Sequence, residues 1–134
     1  MKYTELKQEI SKELNAFPMA FAFSNEQLEE GLKKLNATVK EVVSIGTGGF
    51  IRKTDKEAFS AMFKDHNKRM EDALKDDTFM IDALVYELGN HEYCITYDPT
   101  DTIECLDLDP NDKQVQRCFK EARRIYLEAV EAYA

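Results

Sequence analysis

The chain is short of the residues that most chemistry needs. It has two histidines, His66 and His91, and three cysteines, Cys94, Cys105 and Cys118, none in a CxxC spacing. No recognised set of metal ligands can be written from these, and an odd number of scattered thiols reads as reduced cysteine in a cytoplasm. Basic residues are outnumbered, 18 against 26 acids, for a net charge of −8. Nucleic-acid binding needs a basic stripe, so no nucleic-acid partner is expected. No apolar run approaches a membrane span or a signal peptide, which points to a cytoplasmic protein off the membrane. Repeats, low-complexity tracts and Pro/Gly/Ser linkers are missing as well. The 134 residues therefore read as one globular domain, residues 1–134, large enough for a core of its own.

What is present is mostly helical periodicity. Tyr3, Leu6, Ile10 and Leu14 step at helical intervals, so residues 3–14 read as an amphipathic helix that Pro18 terminates. Met19–Phe23 is a short apolar run suited to a buried strand. Ser24 caps a second helix, with Gln27 at the box position and Leu28, Leu32 and Leu35 as its stripe. Thr38–Ile45 is β-branched and reads as a strand. Phe50 and Ile51 either continue it as a hairpin or plug the core. Thr54, with Glu57 three residues on, reads as the cap of a long helix carrying Phe59, Met62, Phe63, His66 and Met70. Residues 79–88 form an apolar helix interrupted by Asp82 and Glu87, with Gly89-Asn90 as a glycine-type stop. Residues 92–97 alternate like a strand. Asp98-Pro99 and Asp109-Pro110 open the last two helices, the final one spanning about residues 111–133. The expected fold is α+β: five or six helices on a small sheet of three or four strands, closed by a long C-terminal helix.

Two stretches invite a functional reading. The first is Gly46, Gly48, Gly49, Arg52, Lys53 and Thr54, where glycines, two cations and a helix start could converge on an anion. It misses both glycines of a phosphate-binding P-loop, and the dinucleotide fingerprint fails because Ile51 stands where the third glycine belongs. A tight turn with positive φ angles explains the same glycines. The second stretch is Asn90, His91, Glu92 and Tyr93, with a titratable His91–Glu92 pair and Cys94 nearby. As part of a strand, His91 and Cys94 would face opposite ways, and the stretch also reads as a plain connector. His66 lies in an apolar stripe and reads as a core or boundary histidine. Asp82 and Glu87 sit about 140° apart around a helix axis, so they share no face and mark where the helix meets water or a cation. Asp98, Asp101, Glu104, Asp107, Asp109 and Asp112 lack the order and glycine of a calcium loop and read as a solvated acidic edge. No catalytic residue, metal or cofactor is assigned.

Three phrases, FPMAFAFSNEQLEEGLKKL, VVSIGTGGFIRKTD and YELGNHEYCITYD, resemble a small uncharacterised family of phage and gut-type bacterial proteins over Phe17 to Leu106. The resemblance implies an accessory protein carried on mobile DNA and supplies no functional residues. The expected function is a non-enzymatic interaction protein whose acidic surface meets a protein partner, with self-association through the terminal helix as a further option. The alternative is a small-ligand or anion-binding domain, or a minor enzyme, joining the Gly46–Lys53 turn to the Asn90–Tyr93 connector.

Overall fold

A computed structural model describes residues 1–133. It is α+β: seven α-helices and a three-stranded antiparallel sheet among the described residues. In chain order these are α1 (Tyr3–Ala16), β1 (Ala20–Phe21), α2 (Asn25–Leu35), β2 (Val42–Gly46), β3 (Gly49–Arg52), α3 (Lys56–Leu74), α4 (Asp77–Asn90), α5 (Tyr93–Thr96), α6 (Thr100–Cys105) and α7 (Lys113–Ala132). The chain divides into two compact units. One takes residues 1–8 and 69–134, the other residues 9–68.

The smaller unit holds the sheet, in the order β1-β3-β2. β2 and β3 form the hairpin that the glycine run suggested, and the apolar run at Met19–Phe23 contributes only two residues of strand. Ser24 caps α2 as its sequence predicted, its hydroxyl accepting from the Gln27 amide. Gly31 lies where α2 crosses the sheet. A Cβ there would stand 2.6 Å from Phe50 Cζ and 2.9 Å from Ala20 Cβ. Both neighbours are buried. Gly31→Ala gains about 1 kcal/mol of helix propensity, but overpacking a filled core costs about 1–3 kcal/mol. The expected result is a lower denaturant midpoint, a net loss of about 1 kcal/mol. An unchanged or raised midpoint would show that the Phe50 ring can give way.

The larger unit is built on α4, which packs along α7. Asp76 caps α4 by accepting from the Phe79 amide, and Phe79, Met80, Ala83, Leu84 and Leu88 are buried. Val115, Cys118, Ala122 and Tyr126 form the buried stripe of α7. The start of α7 is tied to the junction of α3 and α4: Arg117 grips both carboxylate oxygens of Asp77, and the Gln114 amide donates to the Leu74 and Lys75 carbonyls.

Several local expectations are corrected. Residues 92–97 are not a strand, because Tyr93–Thr96 close one helical turn between Glu92 and Tyr97, both in the left-handed region. Alternation over six residues cannot outweigh three aromatic partners that this turn finds. Tyr93 meets the rings of Tyr97, Phe119 and Tyr126. Gly89 does not end α4, which runs on to Asn90. Thr54 is not a helix cap, since Lys53–Asp55 form a 3-10 turn ahead of α3. Val39–Glu41 form another such turn, so the strand begins only at Val42. The cap of α7 is Asp112, not Asp109, whose carboxylate serves the Asn111 amide.

Candidate functional site

The glycine run is a two-residue hairpin turn. Gly46, Thr47 and Gly48 have φ of 92°, 49° and 80°, and Gly46 pairs with Gly49. Positive φ at both central residues, Thr47 and Gly48, is the pattern that matches strand twist in a tight hairpin. Arg52 pairs with Val42 at the other end of the ladder. At about 3.4 Å per residue, β3 carries it roughly 10 Å from Gly49. Its guanidinium Nε donates to the Asp55 carboxylate at 2.9 Å. Lys53 and Thr54 follow Arg52 in the 3-10 turn. The fold thus sends the three glycines and the two cations to opposite ends of one strand.

Asn90, His91, Glu92 and Tyr93 belong to the other unit, where Asn90 and His91 both face Glu87 while Glu92 and Tyr93 point elsewhere. Tyr93 is buried, and its hydroxyl accepts from Arg123 Nε at 2.9 Å. Glu92 is exposed. His91 turns away from the Glu92 pairing expected of it and places Nε2 3.3 Å from Oε2 of Glu87, one helical turn back.

Glu87 was expected to meet water or a cation, and it meets the cation. It is fully buried rather than water-facing. The cation expected there is Lys7, whose ammonium lies 3.3 Å from Oε1. Tyr3 donates its hydroxyl to the same oxygen at 2.6 Å, while its backbone N–H donates to Asp82 at 2.9 Å. A tyrosine is long enough to reach both carboxylates even though they share no helix face. Oε2 receives the Asn90 amide at 3.2 Å and the Cys105 thiol at 3.4 Å. The Glu87 carbonyl accepts from the buried Thr102 hydroxyl. Burial pushes the Glu87 carboxyl upward, but the bonds from Tyr3 and Asn90 and the charge of Lys7 outweigh it and hold the group below the usual range. The same burial and the Glu87 charge raise the Tyr3 hydroxyl and the Cys105 thiol. A glutamate in an otherwise apolar helix with histidine four residues on was the available signal, because i and i+4 share a face.

In the smaller unit His66 is buried as its stripe implied, against the Phe63 ring, with Nε2 3.7 Å from the Glu13 carboxylate.

The surface beyond Glu87 is of one character. The larger unit has nine basic and seventeen acidic residues, and the smaller has nine of each, so the whole net charge of −8 belongs to the larger. Seven of those acids, and no base, fall in residues 92–112. Within that run Ile95 is 72% and Tyr97 61% exposed. Glu92, Tyr97 and Asp107 all hold positive φ, each costing of order 1–2 kcal/mol for a residue with a Cβ. The turn is nevertheless fixed: Tyr93 packs on Phe119 and Tyr126, the Cys94 amide donates to the Tyr126 hydroxyl, and Asp98 accepts from Thr100. No helix among the described residues is long and apolar enough to cross a membrane.

No curated protein and no solved structure matches the chain. The profile of one protein family matches residues 2–125, a wider span than the quoted phrases cover, and the chain belongs to that family, described as a family of unknown function (DUF7659).

Proposed function

We propose that this is a non-enzymatic interaction protein whose docking surface is the acidic segment 92–112. Its partner is a protein face rich in lysine and arginine around an apolar recess. The observation that carries the reading is the pairing of two exposed apolar side chains, Ile95 and Tyr97, with seven acids and no base in one segment. Charge complementarity accelerates encounter and selects the partner, while a few large apolar anchors hold it. A turn already fixed on α7 loses little further freedom on binding. Backbone strain concentrated in a surface segment is the kind that binding sites retain. On the resemblance to phage and gut-type bacterial proteins, the expected partner is a host-cell protein met in the cytoplasm.

The test compares cross-linked capture by the wild-type protein and by Ile95→Ser/Tyr97→Ser, which has the same charge. Wild type is expected to enrich basic proteins. The double variant loses them, with affinity for the identified partner falling roughly 30-fold or more. Raising the ionic strength also releases them, because the screening length falls from about 10 Å at 0.1 M to about 3 Å at 1 M. Equal capture by the double variant, or no enrichment over an unrelated protein of equal charge, overturns the proposal.

A further inference from the structure

Glu87, His91 and Cys105 place a carboxylate oxygen, an imidazole nitrogen and a thiol sulfur within 4.8 Å of one another. We propose that these three residues form a binding site for a zinc-type divalent cation at the root of the acidic segment.

Both spacings to Glu87 Oε2 are those of a coordination shell, and the His91 and Cys105 donors lie within 4.8 Å of each other. Zinc binds nitrogen and oxygen at about 2.0–2.2 Å and sulfur at about 2.3 Å in a tetrahedron, which sets its ligands about 3.3–3.6 Å apart. His91 Nε2 lies 3.3 Å and Cys105 Sγ 3.4 Å from Glu87 Oε2. His91 Nε2 is buried without a hydrogen-bond partner despite that closeness. A ring nitrogen directed at a carboxylate oxygen, but misaligned for a hydrogen bond, is placed as a ligand beside another ligand would be.

The donor set also selects the ion. One nitrogen, one oxygen and one sulfur suit a borderline-soft cation and disfavour magnesium or calcium, which take oxygen. Tyr3 and Lys7 hold Oε1, and Oε2, which also receives the Asn90 amide, keeps a further lone pair for an ion. The charges of Glu87 and of the Cys105 thiolate balance a dication, and the thiol proton leaves to solvent on binding. Cys105 is exposed and His91 partly so, which gives the ion an entry path. Water completes the four-coordinate shell.

Two ligands come from the end of α4 and the third from the end of α6. A bound ion therefore closes the loop of residues 92–104 and clasps the segment that carries Ile95 and Tyr97. The site does not depend on the docking proposal, because metal binding is read directly.

The experiment titrates cobalt(II) into the full, untagged, reduced chain after chelator treatment and follows thiolate-to-cobalt absorption. One equivalent is expected to bind with a thiolate band, and zinc displaces it. Cys105→Ser abolishes the band and His91→Gln weakens binding at least about tenfold. Cys94→Ser and Cys118→Ser match wild type. Circular dichroism checks that each variant is folded, and both ligand positions lie near the surface, where substitution is tolerated. Amide exchange across residues 92–106 slows on adding zinc. The assignment is overturned by the lack of a thiolate band in the wild type, by a band that survives Cys105→Ser, or by wild-type affinity in His91→Gln.

Discussion

Glu87→Ala is expected to destabilise the protein by about 3–5 kcal/mol, measured as a denaturant midpoint shift with chelator present, the loss typical of breaking a buried charged network. Its carboxylate is fully buried and receives four donors: the Tyr3 hydroxyl, the Lys7 ammonium, the Asn90 amide and the Cys105 thiol. Hydrogen bonds to a charged group contribute about 1.5–3 kcal/mol each, and a buried donor left without a partner costs about 1–3 kcal/mol. The hydroxyl of Tyr3 bears most of that cost, since Tyr3 is buried, whereas Lys7 is half exposed and can turn to water. Glu87→Gln keeps the shape and one acceptor oxygen, so its expected loss is smaller, about 1–2 kcal/mol. Tyr3→Phe removes the shortest of the four bonds, and a cycle pairing it with Glu87→Gln is expected to show coupling of about 1–2 kcal/mol. A loss below about 1 kcal/mol for Glu87→Ala would mean that water replaces the carboxylate and that the network does not hold α1 to α4.

Gly48→Val is expected to cost about 3 kcal/mol, and Gly46→Ala only about 1 kcal/mol, in the same assay. Both glycines have positive φ, so both substitutions carry backbone strain. They differ in surroundings. A Cβ at Gly46 meets nothing within 4 Å, whereas one at Gly48 would stand 2.8 Å from the Phe23 ring and 3.0 Å from the Ala22 carbonyl oxygen. The ring is exposed and can swing aside; the carbonyl is backbone and cannot. Gly48 also accepts from the Ala22 amide, so moving it pulls on the strand β1. Valine, branched at Cβ, adds a second methyl to the conflict. A loss under about 1 kcal/mol for Gly48→Val would remove the conformational reason for the glycine and return the turn to the ligand reading.

Local rules did much from sequence alone. Helices α1, α2 and α7 were legible because a 3.6-residue apolar period is local, and α2 also because its cap is, Ser24 acting on Gln27 three residues on. The tight turn was legible because its glycines meet a backbone requirement that few other residues satisfy, though whether Phe50 and Ile51 paired in a hairpin stayed open until the fold was known. The balance of acids over bases was simply countable, though its confinement to one unit was not.

Tertiary structure decided the rest, and in each case the reason is a contact distant in sequence. The alternation of residues 92–97 satisfied a strand pattern, yet Phe119 and Tyr126, over twenty residues away, hold Tyr93 in a helical turn. Arg52 stood near the glycines in sequence, but an extended strand is the arrangement that carries neighbours farthest apart. Glu87 was read as meeting water or a cation because a carboxylate in an apolar helix is costly to bury alone. Tyr3, Lys7, Asn90 and Cys105 remove that cost, and three of the four lie 18 residues or more from it along the chain. Periodicity and capping are short-range and could be read along the chain; the burial of Glu87, and with it the meeting of His91 and Cys105, existed only once the chain had folded.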